Sequence, residues 1–323
     1  TMVDDPINIR GLKRFACDHE DHLPTFKKYD ATHKKVAIIG GGPSGLSAAF
    51  YLSIMGHDVT VFEQRHRLGG MLRYGIPAYR LPREALDHEI DVLKTTGFKT
   101  KTDVSIGKDI SLAELEKDFD ALYVSIGAHN DRKIGIEGED ANGVMSAVEM
   151  LREIGDDHMP DFSSQRICVI GGGNVAMDVA RSSIRLGAKS VQIIYRRRQT
   201  DMTALPEEVE GAIADGCEIM ELYAPGRIEK DANNNVTAFI AVPQIVGAIK
   251  WGRPTPVKAN QEELRIPCDK VIVAIGQGID SQSFGDFGIP IERGRLQAFD
   301  TSEVKNKAGI FVGGDCVTGP ATV

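Results

Sequence analysis

Membrane-spanning runs, clustered cysteines and excess positive charge are all missing from this 323-residue chain, and each absence excludes a class of function. No stretch approaches the roughly 18 to 20 uncharged apolar residues of a membrane span, and the start carries no signal-peptide pattern. A cytoplasmic protein is expected. The five cysteines, Cys17, Cys168, Cys217, Cys268 and Cys316, form no short-range pair, which argues against a disulfide framework and an internal metal site. The run Cys17-Asp18-His19-Glu20-Asp21-His22 has mixed ligand types and a spacing that fits no zinc pattern, so it reads as an acidic surface segment. A net charge of −8 argues against general nucleic-acid binding. What remains, with 42% hydrophobic and 26% charged residues, is an ordinary globular composition long enough for two cores.

Two glycine fingerprints stand out against that background. The first follows the apolar run Lys35–Ile39 and comprises Gly40, Gly42 and Gly45, with Pro43 and Ser44 between; a second β-like run, Asp58–Phe62, then leads into Glu63 and Gln64. The second follows Arg166–Ile170 and comprises Gly171, Gly173 and Ala176, with Asn174 and Val175 between; its next run, Val191–Tyr195, leads into Arg196, Arg197 and Arg198. In such a strand–turn–helix unit the first glycine makes the turn, the second admits a pyrophosphate, and the third position packs helix on strand. The helix N-terminus then holds the pyrophosphate. A carboxylate at the place of Glu63 suits the ribose hydroxyls of FAD or NAD, whereas arginines at the matching place suit a ribose 2′-phosphate. Two differently decorated nucleotides are the expectation, FAD or NAD on the first unit and NADP(H) on the second. Cys168, inside a buried-looking strand, reads as a core residue.

The fold class expected is α/β, with two Rossmann-like dinucleotide-binding domains, the NADP domain inserted into the FAD domain. Residues 1–33 read as an N-terminal helical segment, with Ile7–Phe15 its likeliest helix. The FAD domain takes residues 34–143 and 277–323, and the NAD(P) domain residues 144–276. Phe98–Ile106 reads as β-rich, and the turn cluster Asp231–Asn235 marks an antiparallel meander. The runs ending at Gly127 and Gly276 echo one another, each bringing backbone close to a nucleotide. Gly309–Asp315 is a further buried strand, with no third fingerprint to serve, so it returns to the first unit and Asp315 completes the flavin site.

These residues, with Leu68-Gly69-Gly70-Met71-Leu72-Arg73-Tyr74-Gly75-Ile76-Pro77, Arg80-Leu81-Pro82 and Gly313-Gly314-Asp315, resemble the small (beta) subunit of NADPH-dependent glutamate synthase over essentially the whole chain. The likeness extends to the FAD and NADPH part of dihydropyrimidine dehydrogenase and to subunits of NADPH:ferredoxin oxidoreductases. It implies that Gly40, Gly42, Gly45 and Glu63 serve the FAD adenosine and pyrophosphate, Gly70, Leu72 and Ile76 the flavin, and Asp315 the ribityl and phosphate end. Met71, Gly127 and Gly314 join that set as its neighbours. On the NADP(H) side it implies Gly171, Gly173, Asn174, Ala176, Arg196, Arg197 and Gly276, to which Val175 and Tyr195 are added. Family members usually carry 4Fe–4S cysteine clusters ahead of the segment that resembles Asp5–Phe15. Those clusters are expected only upstream or in a partner, and no cysteine present is assigned as a ligand. Both ends read as truncated, the C-terminal one before a helix whose N-terminus faces the flavin in the family.

The implied activity is an NADPH-preferring, FAD-dependent oxidoreductase that passes hydride-derived electrons to a partner such as the glutamate synthase large subunit or ferredoxin. Direct hydride transfer needs no general acid or base, so no catalytic side chain is named, and His129 reads as structural or surface. The lack of a closely spaced cysteine pair sets the chain apart from flavoproteins that reduce disulfides. Two alternatives stay open: a flavin monooxygenase, against which the Gly70–Pro77 block argues, and a non-catalytic nucleotide-binding subunit, which only turnover separates from the leading reading.

Overall fold

The computed structural model describes residues 7–20, 24–250 and 252–320. Two five-stranded, fully parallel sheets organise it. The outer sheet has the order Ile310–Val312, Ala121–Val124, Lys35–Ile39, Asp58–Phe62, Lys99–Lys101, and the inner sheet the order Val144–Ser146, Lys270–Val273, Arg166–Ile170, Ser190–Tyr195, Glu218–Glu221. In each the fingerprint strand is central and its last four residues are buried, as expected for parallel strands covered on both faces. The helices Pro43–Ile54 and Asn174–Arg185 follow directly from the glycine turns. Pro43 suits the first turn, where its missing N–H has no helical partner to lose.

The outer sheet is completed from the far side of the chain. Strand Ile310–Val312 pairs in parallel with Ala121–Val124, so everything between lies within one excursion from the outer sheet. The two crossings of that excursion run side by side, Asn130–Asp131 antiparallel to Gln277–Gly278. The inner sheet's equivalent edge strand, Val144–Ser146, instead precedes its fingerprint. Phe98–Ile106 contributes only the short edge strand Lys99–Lys101.

The segment around Asp231–Asn235 is an antiparallel meander: Tyr223–Lys230 and Leu264–Pro267 both pair with the long strand Val236–Lys250, which also pairs with Arg253–Lys258. Phe239, Ile240 and Ala241 of that strand are buried, and Phe239 and Ala241 join Cys168, Ile170 and Cys268 in one core cluster against the inner sheet. The helix expected near Ile7–Phe15 forms at Ile9–Asp18, capped by the Asn8 carboxamide oxygen accepting from the Gly11 N–H at 2.9 Å. Its residues are all exposed, and Arg10 pairs with Glu207. Asp21 and His22 of the acidic run lie outside the described residues. Among those described, no group of three or more potential ligands gathers to hold a metal, and no helix is long and apolar enough to cross a membrane.

Candidate functional site: two cradles with opposite chemistry

At the outer cradle each glycine has a distinct steric reason. A Cβ on Gly40 (φ +107°) would lie 2.4 Å from the Ser125 carbonyl oxygen, and one on Gly45 would lie 1.9 Å from the Gly40 oxygen. Gly42 differs: its Cβ would meet only the Gly70 Cα, at 3.6 Å. That opening, at the N-cap of the helix Pro43–Ile54, suits a phosphate group in want of N–H donors. Around it the fold gathers Ser44, Gly70 and Gly314, since a Cβ on Gly314 (φ +75°) would fall 2.8 Å from Ser44 Cβ. Ser44 Oγ and Tyr123 Oη are hydrogen-bonded at 2.8 Å, and Asp315 opens the short helix Asp315–Thr318.

Glu63 is buried beside this loop. Its Oε2 accepts from the Gly41 N–H at 2.7 Å and its Oε1 from the Arg65 N–H at 2.8 Å. Burial raises its pKa above the usual carboxylate value, although both amide bonds favour the charged form. A carboxylate has about four lone-pair sites, so two remain for ribose hydroxyls. Gln64 next to it is exposed. Met71 and Leu72 stand on the short helix Met71–Tyr74, and Ile76 follows it; Arg83 holds the carbonyls of Leu72 and Ile76 at 3.2 and 2.9 Å.

The inner cradle repeats the geometry with other residues. A Cβ on Gly171 would lie 2.3 Å from the Ala274 oxygen, while Gly173 is open save for Thr203 Oγ1 at 3.4 Å. Asn174 caps inward, its Oδ1 accepting from the Leu205 N–H at 2.9 Å, and Val175 and Ala176 begin the helix. Ala176 replaces the third glycine and is fully buried. Register equates the strand ends: Ile39 pairs with Phe62 and Ile170 with Ile194, so Tyr195 holds the place of Glu63. A phenol therefore stands where the outer unit has its carboxylate, with its ring 2.5 Å from where a Gly172 Cβ would be.

The three arginines part company. Arg196 is exposed and has no ion-pair partner among the described residues. Arg197 is half-buried and donates Nε–H to the Pro254 carbonyl at 2.7 Å. Arg198 is tied to Asp201 through Nε–H at 2.9 Å and Nη2 at 3.1 Å, so it is spent locally. A fourth cation was not legible in the sequence: Arg253 donates to Tyr195 Oη at 2.7 Å and to the Asp201 carbonyl at 2.6 Å. Only the pairing of Val236–Lys250 with Arg253–Lys258 brings it there.

Gly127 (φ +67°) and Gly276 (φ +116°) occupy equivalent turns after their strands. His129 lies against Gly127, and burial together with Arg65 and Arg152 lowers its pKa from 6.5 to about 4, so it is neutral at physiological pH. Cys168 and Cys268, far apart in sequence, join one core cluster, and both are fully buried. Sequence spacing did not signal that meeting.

Residues 5–103 and 34–323 match the family model described as pyridine nucleotide-disulphide oxidoreductase. The chain belongs to that family. The chain is 38% identical to the beta subunit of an NADP(+)-dependent formate dehydrogenase of Moorella thermoacetica, over 99% of this chain and 49% of that protein. It is 32% identical to the small chain of NADPH glutamate synthase of Escherichia coli, over 97% of this chain and 70% of that one. The chain thus spans about half the length of the formate dehydrogenase subunit. In fold it is similar to Mycobacterium tuberculosis FprA in complex with NADPH, with a TM-score of 0.76 at 20% identity over 90% of this chain and 80% of that chain.

Proposed function

We propose that this oxidoreductase takes electrons from NADPH onto FAD and hands them to an iron–sulfur partner. One observation carries the reading: two register-matched cradles end in a buried carboxylate on the outer sheet and in Tyr195-Arg196-Arg197 on the inner one. Bound FAD supplies acceptance of a hydride and release of its electrons one at a time. Everything else falls to the chain. The helix N-terminus at Gly42–Ser44 holds the FAD pyrophosphate and Glu63 the adenosine ribose. Gly70, Leu72 and Ile76 border the flavin, and Asp315 takes the ribityl and phosphate end. Gly173 and Asn174 receive the second pyrophosphate, while Arg196 and Arg197 take the 2′-phosphate that a carboxylate at position 195 would repel.

Catalysis is then positioning, with the two nucleotides held in reach and no side chain moving a proton. The iron–sulfur centres belong to a region or subunit beyond this chain, such as a ferredoxin or a large glutamate synthase subunit. The named relatives, one a subunit and one a small chain, support a partnered role. The test is an anaerobic titration of the FAD-loaded protein with NADPH and with NADH, following flavin absorption. Bleaching at near-stoichiometric NADPH and much weaker bleaching by NADH is expected; absence of bleaching by either refutes the reading.

A further inference from the structure

The loop from Gly75 to Pro82 leaves the outer unit and meets the inner one through two side chains, Tyr79 and Arg80, of which Arg80 makes three close polar contacts. Arg80 Nη1 donates to both carboxylate oxygens of Asp178 at 2.8 Å, and Nη2 reaches Glu208 Oε1 at 2.7 Å. Asp178 is only 3% exposed. It stands on the helix Asn174–Arg185, whose N-terminus forms the inner cradle, and Glu208 stands on Pro206–Ala214. That second helix follows the Thr203–Leu205 stretch, whose amides bond the Gly172 carbonyl at 3.0 and 3.1 Å and the Asn174 side chain. Arg181 closes the network, meeting Glu208 at 3.0 Å and Asp215 at 2.7 Å, and the Tyr79 ring lies 4.1 Å under the Arg185 guanidinium.

The outer end of this bridge is equally fixed. Arg80 and Leu81 amides bond the Pro77 carbonyl at 3.0 and 3.1 Å, and Arg83 pins Leu72 and Ile76, the residues assigned to the flavin border. Arg80 therefore ties the wall of one nucleotide site to the helix that bears the other. Other contacts cross the same boundary, with helix Met71–Tyr74 packed on helix Ala147–Gly155 and Arg65 and Arg67 meeting Asp156 and Asp157 at 3.8 and 3.5 Å, but the Arg80 pair is the one that ends on a buried carboxylate of the inner-cradle helix.

We infer that Arg80 is a positioning residue for hydride transfer: it latches the inner unit onto the flavin-bordering loop and so sets the distance between the two nucleotides, without binding either. This rests on the NADPH-to-FAD reading. Each nucleotide then binds normally when the latch is cut, while transfer between them fails, because a misplacement near 1 Å costs on the order of 100-fold in rate.

The experiment compares the wild-type protein with Arg80→Met, with the double variant Arg80→Met/Asp178→Asn, which leaves no unpaired charge at Asp178, and with Arg80→Lys. Flavin bleaching by saturating NADPH is followed by anaerobic stopped flow, FAD content by absorption, and inner-cradle affinity by calorimetry with 2′,5′-ADP. Expected is a bleaching rate about 100-fold lower in the double variant, with FAD content and 2′,5′-ADP affinity unchanged and partial rescue in Arg80→Lys. Wild-type bleaching in the double variant overturns the inference, as does a fall in 2′,5′-ADP affinity in step with the rate. Spin labels at the exposed positions Lys117 and Lys189, with Cys17→Ser, give a readout free of turnover. A narrow distance distribution in the parent that broadens in the double variant supports the latch; an unchanged one overturns it. If wild-type protein is never bleached by NADPH, the functional reading falls and the latch is judged on those distances.

Discussion

Tyr195 and Glu63 occupy the same place in two copies of one geometry, and the difference between them is one charge. A charge-assisted hydrogen bond contributes about 1.5–3 kcal/mol, so Arg196→Ala or Arg197→Ala is expected to weaken NADPH roughly 10- to 100-fold and to leave NADH nearly unchanged, read by titration of each. Equal loss for both nucleotides removes the 2′-phosphate assignment. Arg253→Ala is expected to loosen Tyr195 and lower the same preference by a smaller factor. His129 gives a pH test: its folded pKa is depressed from 6.5 to about 4, so its contribution is present above pH 6.5 and is lost as pH falls through about 4. Denaturation of His129→Asn is expected to show a flatter acid limb than wild type. Glu63 and Arg196 were readable because they follow their strands immediately, and strand ends are local features. Arg253 was not, since its placement depends on a cross-strand pairing that no spacing reports.

Between the two fingerprint helices the third position decides how closely helix meets strand. Gly45→Ala sets a methyl 1.9 Å from the Gly40 carbonyl, whereas Ala176 sits fully buried at the matching inner position. Overpacking of this kind costs about 1–3 kcal/mol, and Gly45→Ala is expected to release FAD and lower the denaturation midpoint, with Ala176→Gly far milder. The helix Asn174–Arg185 carries a second test. Burial raises Asp178 from 3.8 to about 6 despite Arg80, so its stabilising contribution is full below pH 3.8 and lost as pH rises through about 6. Asp178→Asn, which has no carboxyl to titrate, is expected to show a flatter fall of stability than wild type between pH 4 and 7 in denaturant titrations. Helices and central strands were legible from apolar runs and glycine turns. The edge strand Lys99–Lys101 was blurred into a longer patch because its three residues are all exposed and bear no apolar signature.

Over the whole molecule, hydrophobic burial divides among separate clusters, those of the outer sheet being distinct from those of the inner sheet and meander. Ligands are expected to act on them separately. Saturation with 2′,5′-ADP at 100 times its dissociation constant adds about 2.7 kcal/mol to the element that binds it, so hydrogen exchange is expected to slow in the inner sheet and far less in the outer one, with FAD doing the reverse. Uniform protection by either ligand contradicts two separate sites. The return of Ile310–Val312 to the outer sheet followed from counting fingerprints, but the Arg80 bridge did not, because ion pairs across two units leave no periodic mark. The paired crossings at Asn130–Asp131 and Gln277–Gly278 bear on ancestry and engineering alike. Entry and exit lie one strand spacing apart, so a gene for the excursion can be lifted out and the remaining ends sealed by a turn of a few residues. Such a splice makes the excursion a transplantable cassette, provided the incoming unit offers Arg80 of the host a carboxylate where Asp178 now stands.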